Sequence, residues 1–314
     1  QRQMCIRDSI VGGVDALTGK ETGLELVRQI YPRFGMTPGI LLAPGWSHNP
    51  TVAAALQAKT EGINGNFDCV TYLDISTDAE EDGAEVYTDV RTAKEALGAT
   101  SPHAAALWPM GAVGDKVYYL SALFAALTAY TDASNSDVPY ESPSNKDLKI
   151  TSTVLKDGTE VLLDQQQAND LLNANGVITA INANGYKAWG NNTAAYPSTS
   201  DPKDRWLAVR RFFDWDGNGF ILTYFQKVDK PGNTRLIQSI VDSQNIIGNG
   251  YVARGYCAGY RTEFKSDENP ITNLLDGHLT VHTYLAPYIP AEYIENIREY
   301  DTEALEAALT GGGE

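Results

Sequence analysis

The sequence predicts an α/β fold: a parallel sheet covered on both faces, followed by a smaller second unit. Three observations predict it. Short apolar runs at residues 39–44, 67–75 and 104–108 alternate with amphipathic helical patterns. That order marks right-handed βαβ crossovers, whose strands are buried on both sides. The chain has 314 residues, about twice a typical domain of roughly 150. Residues 190–203 are poor in apolar side chains apart from Tyr196 and carry Pro197 and Pro202, which predicts a boundary there.

Residues 1–9 (QRQMCIRDS) show no periodicity and no turn chemistry and are set aside as a leader foreign to the fold. The natural chain is expected to enter near Ile10, with an upstream part missing. Residues 39–44 read as a buried strand closed by Pro44-Gly45. Asn49-Pro50 then opens a helix, since Asn caps well and Pro suits the first helical position. Val52, Ala55, Leu56, Lys59 and Ile63 give it one face toward the sheet. Residues 67–75 form a second strand, 88–97 a polar helix and 104–108 a third strand. Residues 116–130 read as a helix with Val117, Leu120, Leu123, Phe124 and Leu127 on one side. A polar loop follows to Lys146. Asp164 and Gln167 form a capping box for a helix that Gly176 ends, with Ala168, Leu171 and Leu172 facing inward. Residues 177–181 and 186–189 are short strands about an Asn-Ala-Asn-Gly turn. In the second unit, residues 206–209 begin a new element and 236–247 an amphipathic helix. Leu279, Val281, Thr283 and Leu285 alternate as a half-buried strand.

Composition excludes several functions. Lys and Arg number 24 against 40 Asp and Glu, a net charge of −16, so binding nucleic acid through its phosphates is disfavoured. The acids are concentrated. Residues 74–89 hold seven and no base, and 292–314 hold seven against Arg298, so these stretches account for thirteen of the sixteen net charges. They read as a solvated loop and a solvated tail. Lys203, Arg205, Arg210 and Arg211 make a basic island between them. The longest mostly apolar run, residues 117–129, falls short of the roughly 20 that a bilayer needs, so no membrane insertion is expected. Nor is there a secretory signal. Cys5, Cys69 and Cys257 lack paired spacing; Cys69 reads as a buried reduced thiol, in keeping with cytosolic assembly.

No catalytic, cofactor or metal motif stands out. There is no GxSxG elbow, and Gly111 to Lys116 lacks P-loop spacing. His278 and His282 lack an HExxH context, and His103 at a strand start suggests nothing more. Asp214 to Gly219 (DWDGNG) matches half a calcium loop, but Phe225 stands where the bidentate acid belongs. The stretch reads instead as a turn or a disturbed helix. One alternative is an α/β enzyme with its site at the strand ends near Trp46, Ser47 and His48. Adjacent Ser and His side chains diverge on a turn, which disfavours a triad.

Several stretches together carry a resemblance: Ala43-Pro44-Gly45-Trp46-Ser47 with the helix and strand after it, Pro143-Ser144-Asn145-Lys146, and Tyr186-Lys187-Ala188-Trp189-Gly190-Asn191-Asn192-Thr193. Val209-Arg210-Arg211-Phe212-Phe213-Asp214 and Leu285-Ala286-Pro287-Tyr288-Ile289-Pro290-Ala291-Glu292-Tyr293-Ile294 complete it. In this order, across residues 10–297, the chain resembles the contractile tail sheath proteins of myovirus-type phages and phage-tail-like particles. It departs in having Asn192 where that family usually has Arg.

The resemblance implies a non-enzymatic structural subunit without cofactors. It implies a doubly wound, subtilisin-like sheath domain lacking catalytic residues at 10–200, a smaller tube-facing domain at 201–297 and an acidic arm at 298–314. Partners would be other copies in helically stacked hexameric rings, the tail tube, the baseplate and the tail terminator, in a virion tail assembled in host cytoplasm. Arms would add strands to neighbouring sheets, with Leu279, Val281, Thr283 and Leu285 as a candidate inter-subunit strand. Lys203, Arg205, Arg210 and Arg211 would face the tube or a neighbour, or else close internal salt bridges. Residues 214–219 fall where the family is helical, so Gly217 and Gly219, at about 1 kcal/mol each relative to Ala, should break or kink that helix.

Overall fold

The computed structural model describes residues 2–311. Position 1 of the expected leader and positions 312–314 of the acidic arm lie outside them. Its centre is a five-stranded sheet in the order Tyr186–Trp189, Val177–Asn182, Ala104–Leu107, Val70–Asp74, Ile40–Leu42. The last four run parallel, with Ile40 opposite Val70, Thr71 opposite Ala104 and Ala106 opposite Val177. Tyr186–Trp189 closes one edge as an antiparallel hairpin, its turn made by Asn184 and Gly185 at φ of 57° and 106°.

Every residue of Val70–Asp74 and Ala104–Leu107 is buried. This explains their continuous apolar character: alternate side chains serve opposite faces, and both faces are covered. On one face Leu73, Ala104 and Trp108 meet Val52 and Leu56 of the Pro50–Ala58 helix and Val90 and Leu97 of the Val90–Leu97 helix. On the other, Tyr72, Leu107 and Ile178 meet Leu120, Phe124 and Leu127 of the Leu120–Ser134 helix, and Leu207. The chain is thus mixed helix and sheet in three layers. Local cap chemistry is as read from the sequence. Asn49 accepts from the Thr51 N–H at 3.1 Å. Asp164 accepts from the Gln167 N–H at 2.7 Å, while Gln167 Oε1 accepts from the Asp164 N–H at 3.1 Å.

Four expectations need correction. Residues 116–118 are not helical: Lys116–Tyr118 pairs with Met110–Val113 about a turn with Gly114 at φ 59°, and Ser152–Val154 adds a third strand. The helix starts only at Leu120. Residues 2–9, set aside as a leader without periodicity, are helical within Arg2–Val11, and Ile10 and Val11 at the end of that helix pack against the first core layer. The predicted strand at 279–285 is displaced: His282–Pro287 is the strand, so Leu279 and Val281 precede it while Thr283 and Leu285 lie within it.

The expected break at 214–219 is the fourth. Leu207–Tyr224 is one helix of 18 residues. Tertiary contacts hold the glycine-containing stretch. Asn218 Oδ1 accepts from the Asp68 N–H at 3.0 Å and its amide donates to the Asp68 carbonyl at 2.7 Å. The Tyr260 hydroxyl donates to Asp216 at 3.0 Å. These bonds offset the glycine cost of about 1 kcal/mol per position.

After this helix, Thr234–Ala253 packs on a two-stranded sheet of Cys257–Glu263 and His282–Pro287. Gly248 makes that packing possible, since a Cβ there would fall 2.0 Å from the Tyr260 ring. Among the described residues, no helix is long and apolar enough to cross a membrane, and no group of His, Cys, Asp and Glu could hold a metal ion.

Candidate inter-subunit surface

The strand-end position in an α/β sheet is where chemistry would be sought first. Asp74 ends its strand and is buried there, so it does not belong to a solvated loop as the acidic run suggested. Ser47 donates to Asp74 Oδ2 at 2.9 Å and accepts the Asp74 N–H at 3.0 Å. Ser121, in the first turn of its helix, donates its N–H to Oδ1 at 2.8 Å and its hydroxyl to Oδ2 at 2.5 Å. Burial raises the Asp74 pKa, although the bonds from Ser121 and Ser47 work against it.

His48 turns elsewhere: it lies 3.4 Å from Glu81 and stacks beside Tyr119. Ser47 is fully buried with its hydroxyl engaged in both directions. The cluster therefore ties two strand ends to a helix start and offers no accessible nucleophile. Ser47→Ala should cost about 1–3 kcal/mol, because a buried carboxyl loses a donor and a buried N–H its acceptor. Urea denaturation measures this, and a neutral substitution would show the cluster to be slack.

The basic island divides. Arg210 and Arg211 do not face outward. Arg210 pairs with Asp204 at 3.0 Å and Asp214 at 3.1 Å, and Arg211 makes a two-pronged pair with Asp132, one arm at 3.2 Å. Both arginines are buried, because the first half of their helix lies against the core and the fork geometry of Arg matches a carboxylate. His103 joins this network, its Nδ1 shared between the Cys69 carbonyl at 3.1 Å and Asp214 at 3.2 Å. Burial pushes the Cys69 thiol up to about 12, in keeping with an inert buried cysteine. Lys203 and Arg205 stay near the surface. The Arg205 guanidinium sits over the Tyr196 and Trp206 rings at 4.4 and 4.1 Å and lies 3.5 Å from Glu292.

The outward-facing features lie at the C-terminal end. His282–Pro287 pairs with one strand only, so its outer edge presents unpaired backbone groups among the described residues. Within the pair, Leu285 stands opposite Tyr260, and the Thr283 and Thr262 hydroxyls are 2.8 Å apart. Beyond it, residues 288–301 carry no regular structure but a dense set of exposed apolar side chains. Tyr293, Ile294 and Ile297 are 81%, 86% and 80% exposed, and Tyr288, Ile289 and Tyr300 are exposed as well. A folded chain rarely leaves so much apolar surface in water unless a partner covers it. Sequence reading marked this stretch for its acids and missed its Tyr and Ile; their interleaving with Glu was the available signal.

No protein-family model matches the chain. Named relatives do. A tail sheath protein of Burkholderia phage BcepMu is 27% identical, covering 96% of this chain; the chain spans 63% of that relative's length. A putative prophage major tail sheath protein of Pseudomonas aeruginosa is 26% identical over 96% of this chain and 75% of the relative. Among solved structures, the sheath complex of the PVC extracellular contractile injection system, in its contracted state, superposes with a TM-score of 0.69. It is 20% identical and covers 96% of this chain and 81% of that one. The contracted helical sheath of the anti-feeding prophage gives 0.68 at 18% identity, over 92% and 76%. Along nearly its whole length, in sequence and in fold, the chain resembles the contractile tail sheath proteins of phages and phage-tail-like particles.

Proposed function

We propose that this chain is a structural, non-enzymatic subunit of a contractile tail sheath. It polymerises around a tail tube and contracts to drive the tube through a host envelope. The observation that carries this reading is the unpaired strand edge continuing into an exposed apolar arm, in a chain whose relatives are named tail sheath proteins. A soluble monomer has no use for that surface; a lattice subunit needs it.

In the finer reading, residues 1–9 are a leader foreign to the fold, 10–200 a doubly wound, subtilisin-like sheath domain, 201–297 a tube-facing domain and 298–314 an acidic arm. Thr283 and Leu285 belong to the strand offered to a neighbour, with Leu279 and Val281 extending it on docking. Lys203 and Arg205 face the tube or a neighbour. Copies stack as hexameric rings in a virion tail assembled in host cytoplasm, bounded by baseplate and terminator. Contraction draws on the free-energy difference between two interface packings, without nucleotide hydrolysis.

Negative-stain microscopy of the purified chain, alone and with a tail tube, is expected to show hollow sleeves or striated tubes. A chain that stays monomeric under every assembly condition overturns the reading. Salt supplies a second test. The acidic arm and the exposed Lys203 should attract one another between copies, so raising ionic strength from about 0.1 M to about 1 M, which shortens the screening length from about 10 Å to about 3 Å, should slow sleeve nucleation. Nucleation indifferent to salt would leave the net charge with a role in solubility alone.

A further inference from the structure

One cavity has no part in the reading above. It is a cleft of about 400 Å³ bounded by residues 142–145, 169–174, 189–192 and 290–293. That volume lies at the small end of ligand sites. Gly190 lines it at φ 136°, a backbone region that glycine alone adopts readily. A Cβ there would fall 2.6 Å from the Asn173 amide, so only glycine lets the wall close up at that point.

Side-chain amides dominate its polar wall: Asn145, Asn169, Asn173, Asn191 and Asn192 all line it. The protein's own groups hold them in place. Asn169 Oδ1 accepts the Trp189 indole N–H at 2.7 Å. Asn191 Oδ1 accepts from the Ser142 hydroxyl at 2.6 Å, and its amide donates to Glu292 at 3.0 Å. Asn192 Oδ1 accepts from Arg205 Nε at 3.0 Å. These bonds fix the groups and leave capacity unused. Among the described residues, the Asn169 amide nitrogen donates to nothing. Ser144 accepts the Gly190 N–H at 3.0 Å without donating its own hydroxyl, and the exposed Asn145 side chain makes no hydrogen bond.

The chemistry selects a ligand class. An amide carries donors and an acceptor in one plane, and a hydroxyl also donates and accepts, so a wall of amides suits vicinal hydroxyls. The cleft's two charges offset one another, with Arg205 3.5 Å from Glu292, so an anion meets a guanidinium already engaged. A hydrocarbon would strand the amides without partners. Trp189, half-buried, and Tyr293, 81% exposed, add aromatic surface for C–H groups. We propose that this cleft binds a neutral saccharide, with one pyranose ring against the aromatic surface and its hydroxyls on Ser144, Asn145 and Asn169.

Methyl α-glucopyranoside and its manno and galacto epimers are titrated into the full chain, with tetrahydropyran as a ring that lacks hydroxyls. Calorimetry and the side-chain amide resonances in NMR follow binding. At least one pyranoside is expected to bind with a Kd of about 1–10 mM, in keeping with a ligand of about a dozen heavy atoms. The epimers should differ by about threefold or more, since fixed donors and acceptors tell an axial hydroxyl from an equatorial one. Tetrahydropyran should not bind, and the amide resonances of Asn145 and Asn169 should move with the pyranoside. Asn145→Gly, which suits the φ of 60° at that position, should weaken binding about twofold to tenfold without lowering the melting temperature, and so should Tyr293→Ala. Three results would each overturn the site: no pyranoside binding up to about 100 mM, equal binding of tetrahydropyran, or binding that neither moves those amides nor responds to the substitutions. None of these readouts needs assembled sleeves, so a failure here leaves the sheath reading standing.

Discussion

Replacing Asp214 with alanine is expected to destabilise the folded chain by about 3–5 kcal/mol, the cost of leaving a buried charge without its partner. Asp214 is 5% exposed and sits in the middle of the Leu207–Tyr224 helix. It faces Arg210 one turn back at 3.1 Å and His103, in the turn just before the Ala104–Leu107 strand, at 3.2 Å. Without it, Arg210 keeps only Asp204, which is part exposed, and His103 loses its buried carboxylate and keeps only the exposed Glu61, 3.4 Å from its Nε2. The Leu207–Tyr224 helix would then be held in place by packing and by the Asn218–Asp68 bonds. Asp214→Asn, which keeps the shape and removes the charge, should fall between wild type and alanine. Denaturant midpoints of the three chains measure this; equal midpoints would show that packing alone fixes the helix.

The same network makes a pH prediction. Burial works to lower the His103 pKa, but the hydrogen bond and charge of Asp214 outweigh it, so the folded value lies above the ordinary 6.5. The protonated ring is thus better stabilised in the folded chain than in the unfolded one. Its contribution is complete below about pH 6.5, the unfolded value, and is lost as pH rises through the raised folded value. The stability gap between wild type and His103→Gln should therefore be widest in mild acid and close toward alkaline pH. A gap that widens with pH contradicts the pairing.

What could be read from the sequence was what local chemistry decides. The parallel strands announce themselves because burial on both faces demands unbroken apolar runs such as that around Val70. Asn49-Pro50 and the Asp164–Gln167 box are legible because donor and acceptor lie within one turn. Lys116–Tyr118 was misread because Val117 fits a helical face and a three-residue strand equally well, and so short a run has no period of its own. The buried ionic network was half legible. Arg210 and Asp214 stand at the spacing of helix neighbours, but nothing local to His103 announces an anion more than a hundred positions away. DWDGNG, which promised a disturbed helix, is straightened by residues equally remote, Asp68 and Tyr260.

The arm was legible as residues and not as a surface, and it carries the largest effect expected on assembly. Ile294→Asp combined with Ile297→Asp should abolish sleeve formation while leaving the subunit folded. Both side chains are at least 80% exposed, so the isolated chain should shift by no more than about 0.5 kcal/mol. In an assembled contact each buried isoleucine contributes about 1.5–3 kcal/mol. Losing both would weaken each arm contact by roughly 10²- to 10⁴-fold, before the cost of placing two carboxylates in an apolar seat. Because every copy in a helical lattice repeats the contact, the deficit recurs along the whole sleeve, and the critical concentration should move beyond reach. Electron microscopy reads the sleeves, and a thermal melt of the monomer supplies the control. If sleeves form at the wild-type concentration from the doubly substituted chain, the apolar arm is not what holds neighbouring copies together, and the strand edge at His282–Pro287 must supply the affinity alone.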